Sequence, residues 1–213
     1  MKKAVWVVNI DNFLPLTTKY TFKTIAYYAN KIGADFNIIT KRKFPDFPPT
    51  YEKLQIYELG KGYDWNVLID ADMLIHPFLW DITKIVPTTK VGFYAAYDVR
   101  QWFEIDDYFL RDERFLGIAS NFIAINKICH DFWTPFEMSY NEIKNKSRRY
   151  HGIEDYCFAR NLARFGLKEF NMLTQQDIHL IRHLCASGEN IQNNDTELEE
   201  QAKKTYKLWG IIL

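Results

Sequence analysis

Asn66–Asp72 (NVLIDAD), with Met73–Pro77 (MLIHP) behind it, is the stretch around which the rest of the chain is arranged. A run of apolar, β-favouring residues ends abruptly in two carboxylates one residue apart. Side chains alternate along a strand with period two, so Asp70 and Asp72 are expected on the same side of a strand end. Two like charges that close raise each other's cost unless a cation or a donor network lies between them. A D-x-D tripeptide is common, and alone it reads as carboxylates that cap the next helix or face water. The apolar strand before it changes that reading, because open α/β sheets bind ligands at the carboxyl ends of their strands. Carboxylate oxygens suit Mg²⁺ or Mn²⁺, and an added imidazole favours Mn²⁺.

On the amino-terminal side, Ala4–Ile10 (AVWVVNI) predicts a buried first strand with Asp11 and Asn12 at its carboxyl end. Thr17 or Thr18 is expected to cap a helix in which Phe22, Ile25, Ala26, Ala29 and Ile32 recur at helical spacing, with Gly33 as its stop. Phe36–Thr40 reads as a second strand. The β-α-β order makes a parallel, right-handed crossover the default. Lys41-Arg42-Lys43 reads as a solvated turn before the proline-rich Pro45–Pro49, and Tyr51–Leu59 (YEKLQIYEL) as a helix ending at Gly60.

Beyond the acid pair, Phe78–Ile85 predicts a short helix and Val91–Ala96 a strand running on to Asp98. Arg100–Gly117 is polar, aromatic and aperiodic, which predicts a long loop over the site. The aromatics in Gln101–Phe115 hint at an acceptor platform, although aromatic residues pack cores more often than they stack on ligands. Asn121–Asn126 reads as a strand, Lys144–Arg149 as a basic solvated turn, and Glu154–Phe165 as a helix ending at Gly166. Phe170–Leu173 and Ile178–His183 read as further strands. Thr196 and Glu199 have capping-box spacing at the start of a last helix.

The 213 residues suit one α/β domain over residues 1–213. Hydrophobic residues make up 47% and aromatics 16%, ample for a core. The 27 basic residues balance the 27 acidic ones, so no global charge argues for a nucleic-acid partner or an anionic membrane surface. Cys129, Cys157 and Cys185 are far apart, odd in number and without metal-ligand spacing, which reads as free buried thiols in a reducing compartment. Met1-Lys2-Lys3 followed by Ala4–Val8 imitates a signal start, but Asn9 and Asp11 cut the apolar run short. No stretch approaches the roughly 20 apolar residues of a membrane span. A soluble, cytoplasmic protein is the expectation.

His183, at the end of Ile178–His183, is the foremost candidate for the imidazole, with His179 and His76 as competitors. A lone histidine at a strand end is more often structural than a ligand. Glu154-Asp155 follows Gly152 at a helix start, where first-turn acids are favoured by the helix dipole. The sharper reading is a carboxylate acting as general base or stabilising positive charge on a sugar. Asp98 ends its strand much as Asp72 does and could bond hydroxyls. Lys53 could meet phosphate, although an ordinary surface lysine is the blander reading.

In order along the chain, these residues resemble the GT-A class of nucleotide-sugar glycosyltransferases, above all its glycogenin-like and galactosyl/xylosyltransferase-like branches. Glycogenin-type enzymes carry a K-L helix, then a tyrosine before a strand ending in D-A-D-x-L. This chain has Lys53-Leu54, Tyr63 and Asp70-Ala71-Asp72-Met73-Leu74. An A-A-x-D segment is matched by Ala95-Ala96-Tyr97-Asp98, and a later N-S-G-V strand in part by Asn121-Phe122-Ile123. The glycine of that strand is absent, and no K-P-W follows His183-Leu184.

The resemblance implies a single GT-A domain: a Rossmann-like, mixed but mostly parallel central sheet flanked by helices. Its N-terminal part would bind nucleotide and its C-terminal part sugar and acceptor. By the same likeness, Asp70, Asp72 and His183 hold Mn²⁺ (or Mg²⁺) against the diphosphate of a UDP-sugar, and Lys53 supports the phosphates. Val8, Asn9 and Asp11 receive uracil and ribose, while Asp98, Asn121 and Asp155 face the donor sugar. The Glu154-Asp155 pair matches the x-E-D element of the wider class, whose aspartate is the base in inverting members. The relatives most similar in pattern retain configuration. The implied reaction moves a hexosyl or deoxyhexosyl group from the UDP-sugar to a glycan or glycoprotein acceptor.

Other classes fit less well. A haloacid-dehalogenase-type phosphatase also uses an apolar strand and D-x-D, but usually on the opening strand with Thr or Val after the second aspartate. Here about a third of the chain precedes Asp70, and Met73 follows Asp72. A sugar-phosphate nucleotidyltransferase would place a glycine-rich loop after the first strand, and Ile10–Leu16 contains no glycine. A non-catalytic nucleotide-sugar-binding module is the remaining alternative, which turnover would decide.

Overall fold

A computed structural model describes residues 1–105, 107–111, 115–146, 152–173, 178–185 and 195–211. The strands are β1 (Lys3–Val8), β2 (Ala34–Ile39), β3 (Trp65–Ile69), β4 (Met73–Ile75), β5 (Lys90–Phe93), β6 (Ala96–Asp98), β7 (Leu116–Ile118), β8 (Phe122–Asn126), β9 (Lys168–Asn171) and β10 (Ile181–His183). The α-helices are α1 (Pro15–Lys31), α2 (Ile56–Leu59), α3 (Val99–Trp102), α4 (Asp107–Arg111), α5 (Tyr140–Ile143), α6 (Ile153–Arg164) and α7 (Asp195–Leu208).

Six strands form the main sheet in the order β2-β1-β3-β8-β5-β9. β1 pairs in parallel with β2 and β3, and β5 with β9, while β8 runs antiparallel to both of its neighbours. The sheet is thus mixed and mostly parallel, with helices against it. β3 and β8 are buried at every position, the continuous apolar reading of strands covered on both faces. The crossover from β1 through α1 to β2 gives the expected parallel pair. Two small antiparallel sheets, β4 with β10 and β6 with β7, stand apart from the main one.

Helix α1 positions the acid pair. It starts at Pro15, ahead of Thr17 and Thr18, so neither threonine is its cap. Its first backbone N–H groups are met from the far end of the chain: the Asp195 carboxylate accepts from Leu16 N at 2.7 Å and Thr17 N at 2.9 Å. The helix ends at Lys31, and Gly33 just past its cap takes a φ of +67°, a conformation that favours glycine. Further along α1, Thr21 Oγ1 donates to the carbonyl of Ala71, and Thr24 Oγ1 accepts from Ile75 N at 3.1 Å. Two buried hydroxyls therefore fasten the segment carrying Asp70 and Asp72 to the helix.

Several elements differ from their expected form. β1 stops at Val8, and Ile10–Asn12 forms a 3-10 turn in which Asp11 and Asn12, with Leu14 after it, adopt left-handed φ angles of 55°, 54° and 51°. Such a conformation costs a leucine of order 1–2 kcal/mol, so tertiary contacts hold the loop there. Residues 49–59 form a 3-10 segment, Pro49–Gln55, before the short α2. Of Phe78–Ile85 only Ile82–Lys84 is helical, with Asp81 as its side-chain cap. The strand expected over Val91–Ala96 splits into β5 and β6, which belong to different sheets. The aperiodic Arg100–Gly117 contains α4 and parts of α3 and β7, and Phe103 and Phe109 are buried in the core rather than open as a platform.

Arg42 does not sit in a merely solvated turn. Its guanidinium binds buried Glu52 at 2.8 Å and the carbonyls of Phe44, Pro45 and Phe47. α7 begins at Asp195, so Thr196 lies inside it and not at a capping box. Residues 147–149 of the basic turn and Gly188 lie outside the described residues.

Candidate active site

β3 ends at Ile69, and the chain turns through Asp70–Asp72, with Met73 N donating to Asp70 O at 3.1 Å. The two acids converge because of this turn, not because a strand pleat continues through them. Asp70 N donates to Asn121 O at 2.8 Å, tying the turn to the start of β8. The pairing of β10 with β4 sets His183 opposite Met73, and Leu184 N donates to Asp72 O at 3.1 Å. One ligand atom each from Asp70, Asp72 and His183 lies within 4.8 Å of the others. Two carboxylates and an imidazole at that spacing fit a Mn²⁺ or Mg²⁺ ion, the imidazole favouring Mn²⁺.

The competing histidines are elsewhere. His76 Nδ1 accepts from Phe78 N at 3.1 Å, with its ring centroid 4.9 Å from that of Trp209, and His179 is exposed. His183 Nε2 lies 3.2 Å from Asp72 Oδ2. Burial alone would push the imidazole down and the carboxyl up. The pair overrides that: Asp72 holds His183 above the ordinary histidine value, and His183 holds Asp72 below the ordinary carboxylate one. Cys185 also hydrogen-bonds Asp72.

Lys53 is not a surface lysine. The 3-10 segment Pro49–Gln55 turns Tyr51 through Leu54 inward, leaving Lys53 only 4% exposed. Its Nζ lies 2.7 Å from Asp70 Oδ1 and 4.0 Å from Glu154 Oε1, and donates to Ser120 Oγ at 2.9 Å and Ser120 O at 3.1 Å. Helix α6 contributes Glu154, whose Oε2 accepts from Thr50 Oγ1 at 2.8 Å, and Asp155, whose Oδ1 accepts from Ser120 N at 2.9 Å. Tyr97 Oη donates to the backbone carbonyl of Asp155 at 3.2 Å.

Burial pushes the Glu154 carboxyl up to about 7 and raises Asp155 and Asp70 as well, with Lys53 only partly offsetting it. Burial would lower Lys53, but Asp70, Glu154 and Asp155 outweigh it and hold the ammonium charged. Burial outweighs the Lys53 charge at all three carboxyls, including Asp70 at 2.7 Å from it. Four carboxylates thus share one buried ammonium and one imidazole, an excess of negative charge that a divalent cation would offset.

The remaining candidates lie on other elements. Val8 is the last residue of β1. Asn9 is buried, and its Oδ1 has no hydrogen-bond partner among the described residues. Asp11 is exposed in the left-handed turn. Asp98 caps α3 through Arg100 N at 2.9 Å and forks with the Arg100 guanidinium, and with Phe115 these residues line a cavity of about 480 Å³. Asn121 is buried beside the acid turn, its Oδ1 accepting from Phe122 N at 2.8 Å. Sequence reasoning missed Thr50, Ser120, Thr21 and Cys185. Each is a common residue type whose role comes only from what it touches across the fold.

No protein-family model matches the sequence, and a comparison with curated proteins finds no match either. Solved structures do match. One is a glycosyltransferase involved in the glycosylation of the major capsid of PBCV-1, at TM-score 0.58 and 10% identity, covering 96% of this chain and 100% of that one. Another is the galactosyltransferase LgtC in complex with donor and acceptor sugar analogs, at TM-score 0.50 and 14% identity, covering 97% and 95%. The chain is similar to both over nearly its whole length, and it has the GT-A glycosyltransferase fold.

Proposed function

We propose that the chain is a metal-dependent glycosyltransferase that moves a hexosyl or deoxyhexosyl group from a UDP-sugar to a carbohydrate or glycoprotein acceptor, with retention of configuration. The observation that carries this reading is the convergence of Asp70, Asp72 and His183 within 4.8 Å at the carboxyl end of β3. These three residues would hold Mn²⁺ (or Mg²⁺). Bound there, the ion supplies Lewis-acid neutralisation of the departing diphosphate.

The protein groups divide the remaining work. Lys53 orients the Asp70 carboxylate and supplies a buried positive charge on the phosphate side. Asn9 Oδ1, a buried acceptor without a donor among the described residues, suits the ring N–H of uracil, with Val8 and Asp11 beside it for base and ribose. Asn121, Asp98 and Asp155 face the donor sugar. Glu154 and Asp155 stabilise positive charge as it develops on the sugar carbon. Were the enzyme inverting, Asp155 would be the base. LgtC, solved with donor and acceptor sugar analogs, supports a site of this kind by its fold.

Residues 1–213 act as one domain on this reading, nucleotide-binding first and sugar- and acceptor-binding second. The three free, buried cysteines suit a cytoplasmic location. No described helix is long and apolar enough to cross a membrane. The GT-A fold disfavours the phosphatase alternative.

Calorimetry with UDP, with and without Mn²⁺, on the parent chain and Asp72→Ala tests the proposal. Binding is expected only for the parent with Mn²⁺, and equal affinity in all four conditions rejects the site. A screen of UDP-sugars for slow hydrolysis then identifies the donor. Binding without turnover of any donor would leave the non-catalytic module as the better reading.

A further inference from the structure

Away from the acid cluster, a cavity of about 390 Å³ opens between α1, the segment after β4 and the end of α7. That is the size of a small-ligand site. Tyr27, His76, Phe78, Tyr206 and Trp209 supply its rings. The His76 centroid lies 4.9 Å from that of Trp209 and 5.3 Å from that of Phe78. Phe78 is 79% exposed and Tyr27 55%, so these rings face solvent instead of filling the core.

The polar atoms around the rings are donors. Lys23 lines the cavity, and its ammonium has no hydrogen-bond or ion-pair partner among the described residues. His76 Nδ1 accepts from Phe78 N at 3.1 Å, which places the neutral ring's proton on Nε2 and leaves that N–H to donate. Burial first, with a further electrostatic contribution from neighbouring Lys31, holds His76 below its ordinary value and so neutral at pH 7. Lys31 Nζ is fixed beside the mouth by the carbonyls of Pro77 at 2.6 Å and Leu79 at 2.9 Å. No Asp or Glu is among the described lining residues.

We propose that this cavity binds a carboxylated sugar residue of a glycan, with the aromatic rings against the pyranose face and Lys23 and the His76 Nε2–H on the carboxylate and hydroxyls. Aromatic walls with donors at their edges match a ring that is apolar on its face and polar at its rim. The charge complementarity selects an anionic residue, since Lys23 on the cavity and Lys31 beside it are basic and no Asp or Glu is among the described lining residues. Four residue steps of near-extended chain lead from Asp72 to His76, about 13 Å, so this is a tethering site and not the reaction site. The inference does not use the transfer reaction: a saccharide held here is detectable whether or not the chain transfers sugar.

The test titrates the full chain, in EDTA, with methyl β-glucuronide, methyl β-glucoside and sodium phosphate, read by saturation-transfer NMR and tryptophan fluorescence. The glucuronide is expected to bind about fivefold more tightly than the glucoside, the gain of one partly exposed charge contact. Lys23→Gln should remove that difference, and Tyr27→Ala should weaken both sugars. Trp209→Ala should abolish both, but Trp209 also packs against the cluster around Leu74 and Leu198. The two exposed positions therefore decide the matter if that variant misfolds. Absence of glucuronide binding, or binding unchanged in Lys23→Gln and Tyr27→Ala, overturns the proposal. So does phosphate displacing the glucuronide at equal concentration, which would mean a simple anion site. Vesicles of anionic phospholipid that bind the chain and are not displaced by the glucuronide would mean a membrane surface instead.

Discussion

Lys53 Nζ lies 2.7 Å from Asp70 Oδ1, with the two side chains 5% and 22% exposed, so one half of the acid pair already has a fixed internal cation. Removing that cation strands Asp70, Glu154 and Asp155 together. Lys53→Met is expected to cost about 3 kcal/mol, the scale of breaking a buried pair by deleting one partner. Urea unfolding at pH 8 in EDTA measures it. A loss near that of an exposed pair, about 0.5 kcal/mol, would mean that the contact is not buried in solution.

Metal binding should stabilise the fold, because Asp70, Asp72 and His183 assemble only when β3, β4 and β10 are in place. Saturating Mn²⁺ at about 100 times its dissociation constant adds about 2.7 kcal/mol. A thermal melt with Mn²⁺ and after chelation reads the shift, which Asp72→Ala should abolish. A shift of equal size in Asp72→Ala would assign the ion to some other site.

Thr21 donates from α1 to the carbonyl of Ala71, between the two acids. Thr21→Val keeps the side-chain shape and leaves that buried carbonyl unpaired, at a cost of about 1–3 kcal/mol. Looser control of the turn should also weaken Mn²⁺ roughly tenfold, as loss of supporting contacts around metal ligands does. Manganese titration followed by electron paramagnetic resonance would separate the two effects. Lost stability with unchanged manganese affinity would show that the turn holds its shape without the helix.

Asp195 caps a helix that lies far from it in sequence. Partial burial pushes its carboxyl up, but bonds from Thr17 and Leu16 outweigh this and hold it below 3.8. A depressed folded value means that the contribution is complete above 3.8 and is lost as pH falls through the lower folded value. Asp195→Ala should therefore cost about 1–2 kcal/mol at pH 7, and progressively less in that acidic window. Guanidinium unfolding across pH checks this, and a cost that stays constant into acid would contradict it.

Glu154 has the opposite sign. Its carboxyl is ordinarily at 4.5, and burial lifts it to about 7 in the fold, so the folded state holds the extra proton between those values. Stability from this group is greatest below 4.5 and falls as pH rises towards 7, with Asp70 and Asp155 adding the same slope. Glu154→Gln should flatten the metal-free profile across that window. Parallel profiles for parent and variant would place the proton elsewhere.

The sequence by itself determined the β-α-β opening, the acid-ended β3, the break at Gly33 and the helix after Gly152. Each rests on local chemistry: apolar runs, helical spacing and glycine's freedom at positive φ. The likeness carried in Lys53-Leu54, Asp70–Leu74 and Ala95–Asp98 also pointed to the GT-A fold. Only the tertiary structure decided which sides of those elements meet. It buried Lys53 against Asp70, set His183 on Asp72 through the pairing of β10 with β4, and brought Asp195 to the start of α1. It also divided Val91–Asp98 between two sheets. The contacts among those outcomes join residues from under twenty to nearly two hundred positions apart. No periodicity or spacing encodes such pairings, because they are fixed by how whole elements pack.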